Sequence, residues 1–220
     1  MTQATFITKN GERFYLIPHP KTGEIHELVG CTTALKAVNK ERLNDWRERV
    51  GTAEAQRILA DTSNIGSRSH GYIEHLINGV ALSLEEWNSL DERERNAIRA
   101  YERWRKQNKF QPAQAELTVA SFKWGYAATI DAEGYIGMKH IIVDWKTGGI
   151  FPTHRMQVAA GVMACRETYP RWKIYEARIV HLDRLTGDWE EVVLGGHDIS
   201  RAFEGFLGAM NTWKFIRQFE

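Results

Sequence analysis

The run Ile141-Ile142-Val143-Asp144-Trp145-Lys146-Thr147-Gly148 constrains this chain more than any other segment. Three β-branched apolar residues favour a strand, and the strand ends abruptly in an acid and a base. Alternation along a strand puts Asp144 and Lys146 on one face. Upstream, Trp124 to Asp131 is also strand-like, and Gly134 to Lys139 lies between the two segments. A hairpin centred near Gly137 and Met138 places Asp131 directly opposite Asp144, with Cβ atoms about 5 Å apart. Two carboxylates that close repel by roughly 3 kcal/mol at an effective dielectric near 20. A divalent cation with oxygen ligands is the natural way to offset that repulsion.

The remaining residues set limits around this hairpin. A chain of 220 residues with 43% hydrophobic content can bury one substantial core. With 29 Lys and Arg against 28 Asp and Glu, it is nearly neutral, so any polyanion binding rests on a local groove. Cys31 and Cys165 make no disulfide framework, which points to a reduced, intracellular protein. Two thiols also cannot supply a four-cysteine iron–sulfur cluster. No apolar run reaches membrane-spanning length, and the N-terminus lacks the layout of a signal or transit peptide. The expected place is the cytoplasm, away from membranes.

Arg13–Ile17 and Glu24–Val29 flank Pro20-Lys21-Thr22-Gly23 and predict an N-terminal β-hairpin. Thr32 or Thr33 can cap a short helix through Val38. A second helix, Lys40–Val50, carries Leu43, Trp46 and Val50 at helical spacing and ends at Gly51. Helix continues over Thr52–Ala60, Asp61–Asn64 breaks it, and a new helix runs from Gly66 to Asn78. Ser83 caps the next start, and Asp91 to Lys109 is a charged helix with Ile98, Tyr101 and Trp104 as its apolar stripe. Strands follow at Glu116–Phe122, Trp124–Glu133 and His140–Lys146, then a helix at Thr153–Glu167. Strands at Lys173–Leu182 and Trp189–Leu194, joined at Thr186-Gly187, precede a last helix over Ile199–Phe215. This order predicts one α/β domain, a small mixed sheet flanked by helices. Residues 1–112 form its β-hairpin and helical N-terminal part, and residues 113–220 its core.

Several motifs then align. Gly66-Ser67-Arg68-Ser69-His70 with Ile73-Glu74, Gly125-Tyr126-Ala127-Ala128-Thr129-Ile130-Asp131, Val143-Asp144-Trp145-Lys146-Thr147-Gly148 and His154-Arg155-Met156-Gln157-Val158-Ala159-Ala160 resemble the RecB-like branch of the PD-(D/E)XK nuclease superfamily. With Thr32-Thr33-Ala34-Leu35 and Lys40…Leu43…Trp46, the chain is similar to small phage exonucleases and the mitochondrial genome maintenance exonuclease.

The resemblance implies a restriction-endonuclease-like core and DNA hydrolysis with Mg²⁺ or Mn²⁺. It implies that Asp131, Asp144, His70 and the Trp145 backbone carbonyl hold the metal. Lys146 activates water or stabilises developing charge, and Gln157 sits beside the scissile phosphate. Glu116 and Glu74 are implied as further ligands or their supports, and Ser67, Thr147 and Arg155 as DNA contacts. Single-stranded DNA or duplex ends are the implied substrate, and a single-strand annealing protein is a natural partner in phage-type recombination. Ile130 stands where the family name has Pro, and Gly161 where many members carry Tyr.

Blander readings compete residue by residue. Asp-x-Lys alone occurs in many exposed strands, and Glu74 four residues after His70 is a common plain helix pair. Arg95, Arg99, Arg103 and Lys106 read as a solvated face paired with Glu94 and Glu102 rather than as a DNA rail. Two rival functions stand beside exonuclease: an endonuclease on the same fold, and a non-catalytic module that binds DNA ends.

Overall fold

A computed structural model of the chain describes residues 5–219, with the side chains of residues 39–43 outside the description. The side chains of Lys40 and Leu43, from the Lys40…Leu43…Trp46 segment, fall outside it. Three strands open the chain as an antiparallel meander: β1 (Thr5–Lys9), β2 (Glu12–Pro18) and β3 (Ile25–Gly30). Helices α1 (Cys31–Val50), α2 (Thr52–Ile77), α3 (Leu84–Ser89) and α4 (Glu92–Asn108) follow. The centre of the sheet is built from β4 (Phe110–Ser121), β5 (Tyr126–Ile136) and β6 (Lys139–Lys146). Helix α5 (Pro152–Thr168), β7 (Glu176–Leu182), β8 (Trp189–Leu194) and α6 (Gly196–Ile216) complete the order. The result is an α/β fold with one mixed sheet flanked by helices.

The sheet is larger than expected, with eight strands, because the N-terminal meander joins it. β3 runs parallel to β5 through Val29↔Tyr126 and Gly30↔Ala127. The N-terminal hairpin is therefore continuous with the core sheet rather than an appendage to it. β5 is the branch point. β4 lines one edge along its whole length. The other edge takes β3 at Tyr126–Ala127 and β6 at Ala132–Ile136. Between them, among the described residues, positions 128–131 have no strand partner on that edge. Helix α1 starts at Cys31, immediately after β3 leaves this gap.

Two cores cover the two faces. On one, α1, α5 and α6 pack Leu35, Val158 and Phe206 against Ile130, Ile142 and Ile179. On the other, α2 and α4 pack Ile73, Tyr101 and Trp104 against Val143 and Trp145. Burial of each large side chain contributes roughly 1.5–3 kcal/mol. The β5–β6 hairpin turns at Gly137-Met138, as the sequence predicts, since Ile136 pairs with Lys139. Gly134 is obligatory for a different reason: a Cβ there would sit 2.8 Å from the Cα of Pro112, where β4 shifts register.

Two helix expectations fail. Cys31–Val50 is one helix, with Gly30 and not a threonine at its N-cap. The Thr33 hydroxyl instead accepts the Arg13 N–H at 3.1 Å, tying α1 to β2. Asp61–Asn64 does not break α2. Polar residues in a helix each cost well under about 1 kcal/mol, and burial of Ala55 before the segment and of Ile65 and Ile73 after it outweighs that. Asp61 also gains Arg93 of α4 at 2.6 Å. Gly51 and Ser83 end and cap helices where expected, Ser83 through a capping box with Glu86.

Candidate metal and phosphate site

The alternation of β5 slips at Asp131. Ala128 and Ile130 face the α5 core, whereas Ala132, of the same parity, faces the α2–α4 core. A regular strand would send all three to one side. Across on β4, Glu116 falls between the pairs Ala115↔Ala132 and Leu117↔Ile130 and has φ of 50°. Glutamate rarely adopts this left-handed conformation, and such strain concentrates at functional sites.

The irregularity turns Asp131 and Glu116 toward α2. His70, Glu116 and Asp131 each offer a ligand atom, and these atoms lie within 4.8 Å of one another. His70 Nδ1 is 3.5 Å from Asp131 Oδ2. The Glu116 carboxyl is raised to about 7, first by desolvation and then by the charges of Asp131 and Glu74, against the pull of Arg13. Its side chain is nonetheless partly open to water, which moderates the energetic consequence of that shift. Glu74, one helical turn after His70, thus bears on the group through its field.

A second cluster lies on the adjoining strand. Lys146 Nζ stands 2.5 Å from Asp144 Oδ2, and Gln157 Nε2 donates to Asp144 Oδ1 at 3.1 Å. Burial raises the Asp144 carboxyl, with Lys146 opposing and Asp131 adding to the rise. Burial works to neutralise Lys146, but Asp144 and Asp131 outweigh it and hold the ammonium above its ordinary range. The same lysine, after burial, pushes His154 down to about 4, so that imidazole is neutral. Cys31 is fully enclosed beside these charges, and burial pushes its thiol up to about 12, which leaves it inert. The Trp145 N–H joins the clusters by donating to Asp131 Oδ2 at 2.8 Å. A strand residue presents its N–H and C=O to the same side, so the Trp145 carbonyl also faces this gap.

Not every expected contact forms. The β5–β6 ladder ends at Ala132↔Val143, one pair short of setting Asp131 opposite Asp144. Asp131 is captured by the Trp145 N–H instead, and Asp144 is held by Lys146 and Gln157 outside the His70–Glu116–Asp131 group. Thr147 is buried. Its hydroxyl lies 3.3 Å from where a Cβ on Gly66 would be, so Gly66 admits α2 to this loop. Ser67 and Arg155 are exposed. The Trp145 indole is walled in by Tyr101 and Trp104 and has no face for a base. On α4, Arg95 and Arg99 both pair with Glu92, and Arg103 pairs with Asp188. Glu94 turns inward, capping its own helix at Asp91 and meeting Arg68 at 2.9 Å. Arg13 and His154 escaped sequence reasoning. Arg13 lies about a hundred residues from Glu116, and His154 has no ligand-like spacing.

No family model and no curated protein matches this chain. Among solved structures, the crystal structure of SSO0001 is similar over 79% of this chain and 73% of its own. The identity is 12% and the TM-score 0.37, too distant to bear on function. No helix of the described residues is long and apolar enough to cross a membrane.

Proposed function

We propose that this protein is a divalent-metal-dependent deoxyribonuclease with a PD-(D/E)XK-like core of the RecB-like type. It acts as an exonuclease on single-stranded DNA or duplex ends, in phage-type recombination, replication or repair. The observation that carries this reading is the convergence of His70, Glu116 and Asp131 within 4.8 Å beside the Asp144–Lys146 pair. These residues come from one helix and three strands, and the resemblance implies a role for each of them.

The donor set fits Mg²⁺ or Mn²⁺. Two carboxylates and one imidazole are oxygen-rich, hard-to-borderline ligands, and desolvation first, then the repulsion of Asp131 and Glu74, lift Glu116, of which a cation relieves the repulsion. His70, Glu116 and Asp131 would hold the ion, with the Trp145 carbonyl and Asp144 at hand. Such an ion neutralises phosphate charge and lowers the pKa of water. The protein's own groups do the rest. Lys146 keeps its proton, so it serves as a fixed positive charge for the phosphate rather than as a general base. Asp144 holds that ammonium in place, and Gln157 fixes the Asp144 carboxylate from α5. Asp131 is fixed by the Trp145 N–H, so neither acid is free to swing away.

The test is hydrolysis of end-labelled linear single-stranded DNA beside a circular control, in Mn²⁺ and in EDTA, with Lys146→Ala in parallel. Short products from the linear strand alone, lost in EDTA and in the variant, are expected. Cutting of the circle would make the protein an endonuclease. DNA binding without cleavage in Mn²⁺ would make it a non-catalytic module that binds DNA ends.

A further inference from the structure

At the closed end of the β5–β6 hairpin lies a cavity of about 730 Å³, bounded by the hairpin turn and the connection from α5 to β7. Its nearest lining residue on β6, His140, is four residues from Asp144, about 13 Å at roughly 3.3 Å each. Its floor is rigid. His140 is buried and hydrogen-bonded to buried Glu133, Tyr135 stacks on the imidazole with ring centres 4.6 Å apart, and Trp172 meets it edge-on at 4.8 Å. Tyr169 in turn stacks on Trp172 at 4.1 Å. The rim is unusual in two ways. Met138 is fully exposed, and Tyr175 and Tyr135 are 66% and 40% exposed, so apolar and aromatic surface faces water. Beside them Arg171 and Lys173 are exposed, and neither forms an ion pair among the described residues. The one acid in the wall, Glu176, is already neutralised by Lys139 at 2.7 Å and Arg178 at 2.9 Å.

We propose that this cavity binds single-stranded nucleic acid, with bases on the Tyr135 and Tyr175 rings and phosphates on Arg171 and Lys173. Aromatic faces interleaved with uncompensated cations are the pairing that unpaired strands require: a π-face for each base and a positive charge for the backbone. What sets Arg171 and Lys173 apart is their place beside the exposed rings of Tyr135 and Tyr175 on one cavity rim, a juxtaposition that makes a local anion site. The buried Glu133–His140 floor fixes the platform before any ligand arrives, so little ordering entropy is lost on binding. An acidic peptide would use the cations but would leave the rings without a matching partner. The inference extends the nuclease reading to a second place on the molecule, a hold on the strand remote from the metal group, and it can be tested without cleavage.

The experiment is fluorescence anisotropy of a labelled oligothymidylate in EDTA, at several salt concentrations. Tyr175→Ala is expected to weaken binding at least about fivefold, the lower end of one base stack. Arg171→Gln with Lys173→Gln is expected to reduce the slope of log K against log salt by about 1.4, at about 0.7 per phosphate for single strands. Arg201→Gln, on the exposed side of α6, should change neither, and far-UV circular dichroism should be the same for all variants. Unchanged affinity and slope in the cavity variants would overturn the proposal. So would competition by polyglutamate as effective as unlabelled oligothymidylate, which would make the cavity a dock for an acidic protein. Because no metal is present, loss of binding here and loss of cleavage at Lys146 are separate results.

Discussion

The two ends of the β5–β6 hairpin each set a histidine against a carboxylate, and the contrast between them is instructive. At the turn end, His140 and Glu133 are both buried and pair with each other, on a ladder that runs unbroken from Ala132↔Val143 to Ile136↔Lys139. That pair is complete: one acid, one base, enclosed by rings. At the open end the ladder stops, and His70 meets two acids, Asp131 and Glu116, at greater distance and with partial access to water. The same residue types give a sealed structural pair where the sheet is continuous and an unfinished donor set where it is broken. Continuity of strand pairing, rather than residue type, separates the two.

His140→Ala and His70→Ala sharpen that contrast most. Removing His140 strands a buried carboxylate and is expected to cost about 3–5 kcal/mol, read as a lower midpoint in urea. Removing His70, from a pair that water already screens, should cost less than about 1 kcal/mol while weakening Mn²⁺ binding measured by calorimetry. Equal destabilisation by the two variants would break the comparison.

Lys146→Ala also strands a buried carboxylate, Asp144, so its fold is checked by circular dichroism, and in the folded variant turnover should fall about 10²–10³-fold, the usual effect of removing one preorganised charge from a transition state. Steady-state cleavage of linear DNA measures it. Full activity would mean that the Asp144–Lys146 cluster is only structural.

The unfinished end should also titrate. Glu116 has a folded-state pKa of about 7 against an ordinary 4.5, so the folded protein binds a proton there that the unfolded chain has already lost. Its contribution to stability is present below about 4.5 and is lost as pH rises towards 7. Metal-free protein should therefore show a melting temperature that falls across this window, and Glu116→Gln should flatten the fall. An equal decline in the variant would place its origin elsewhere.

The smallest effect is expected on α4. Arg99→Gln removes a surface cation already engaged by Glu92 at 2.7 Å, so DNA affinity and its salt slope should stay the same. A change in slope near 0.7 would show that the helix contacts a phosphate after all.

Local chemistry made much of this legible from the chain. The β-branched run at Ile141–Val143 marked β6, Gly137-Met138 its turn, Ser83 the cap of α3, and Gly51 the end of α1, because each acts on its near neighbours. The motif residues His70, Asp131, Asp144, Lys146 and Gln157 were named in advance, and the structure brings them to one gap in the sheet. What sequence could not supply depends on contacts between distant segments. The parallel pairing of β3 with β5 joins residues almost a hundred positions apart and opens the gap on the edge of β5. The slip in alternation at Asp131 follows from the left-handed Glu116 on the neighbouring strand, and no local pattern announces it. Propensity placed a break at Asp61–Asn64 that the packing of Ile65 and Ile73 overrides. The sequence thus determined which residues could do chemistry and which short segments were strand or helix, since those are short-range properties. Only the tertiary structure decided which acid meets which base, because a single residue of slip reverses the direction of every side chain that follows.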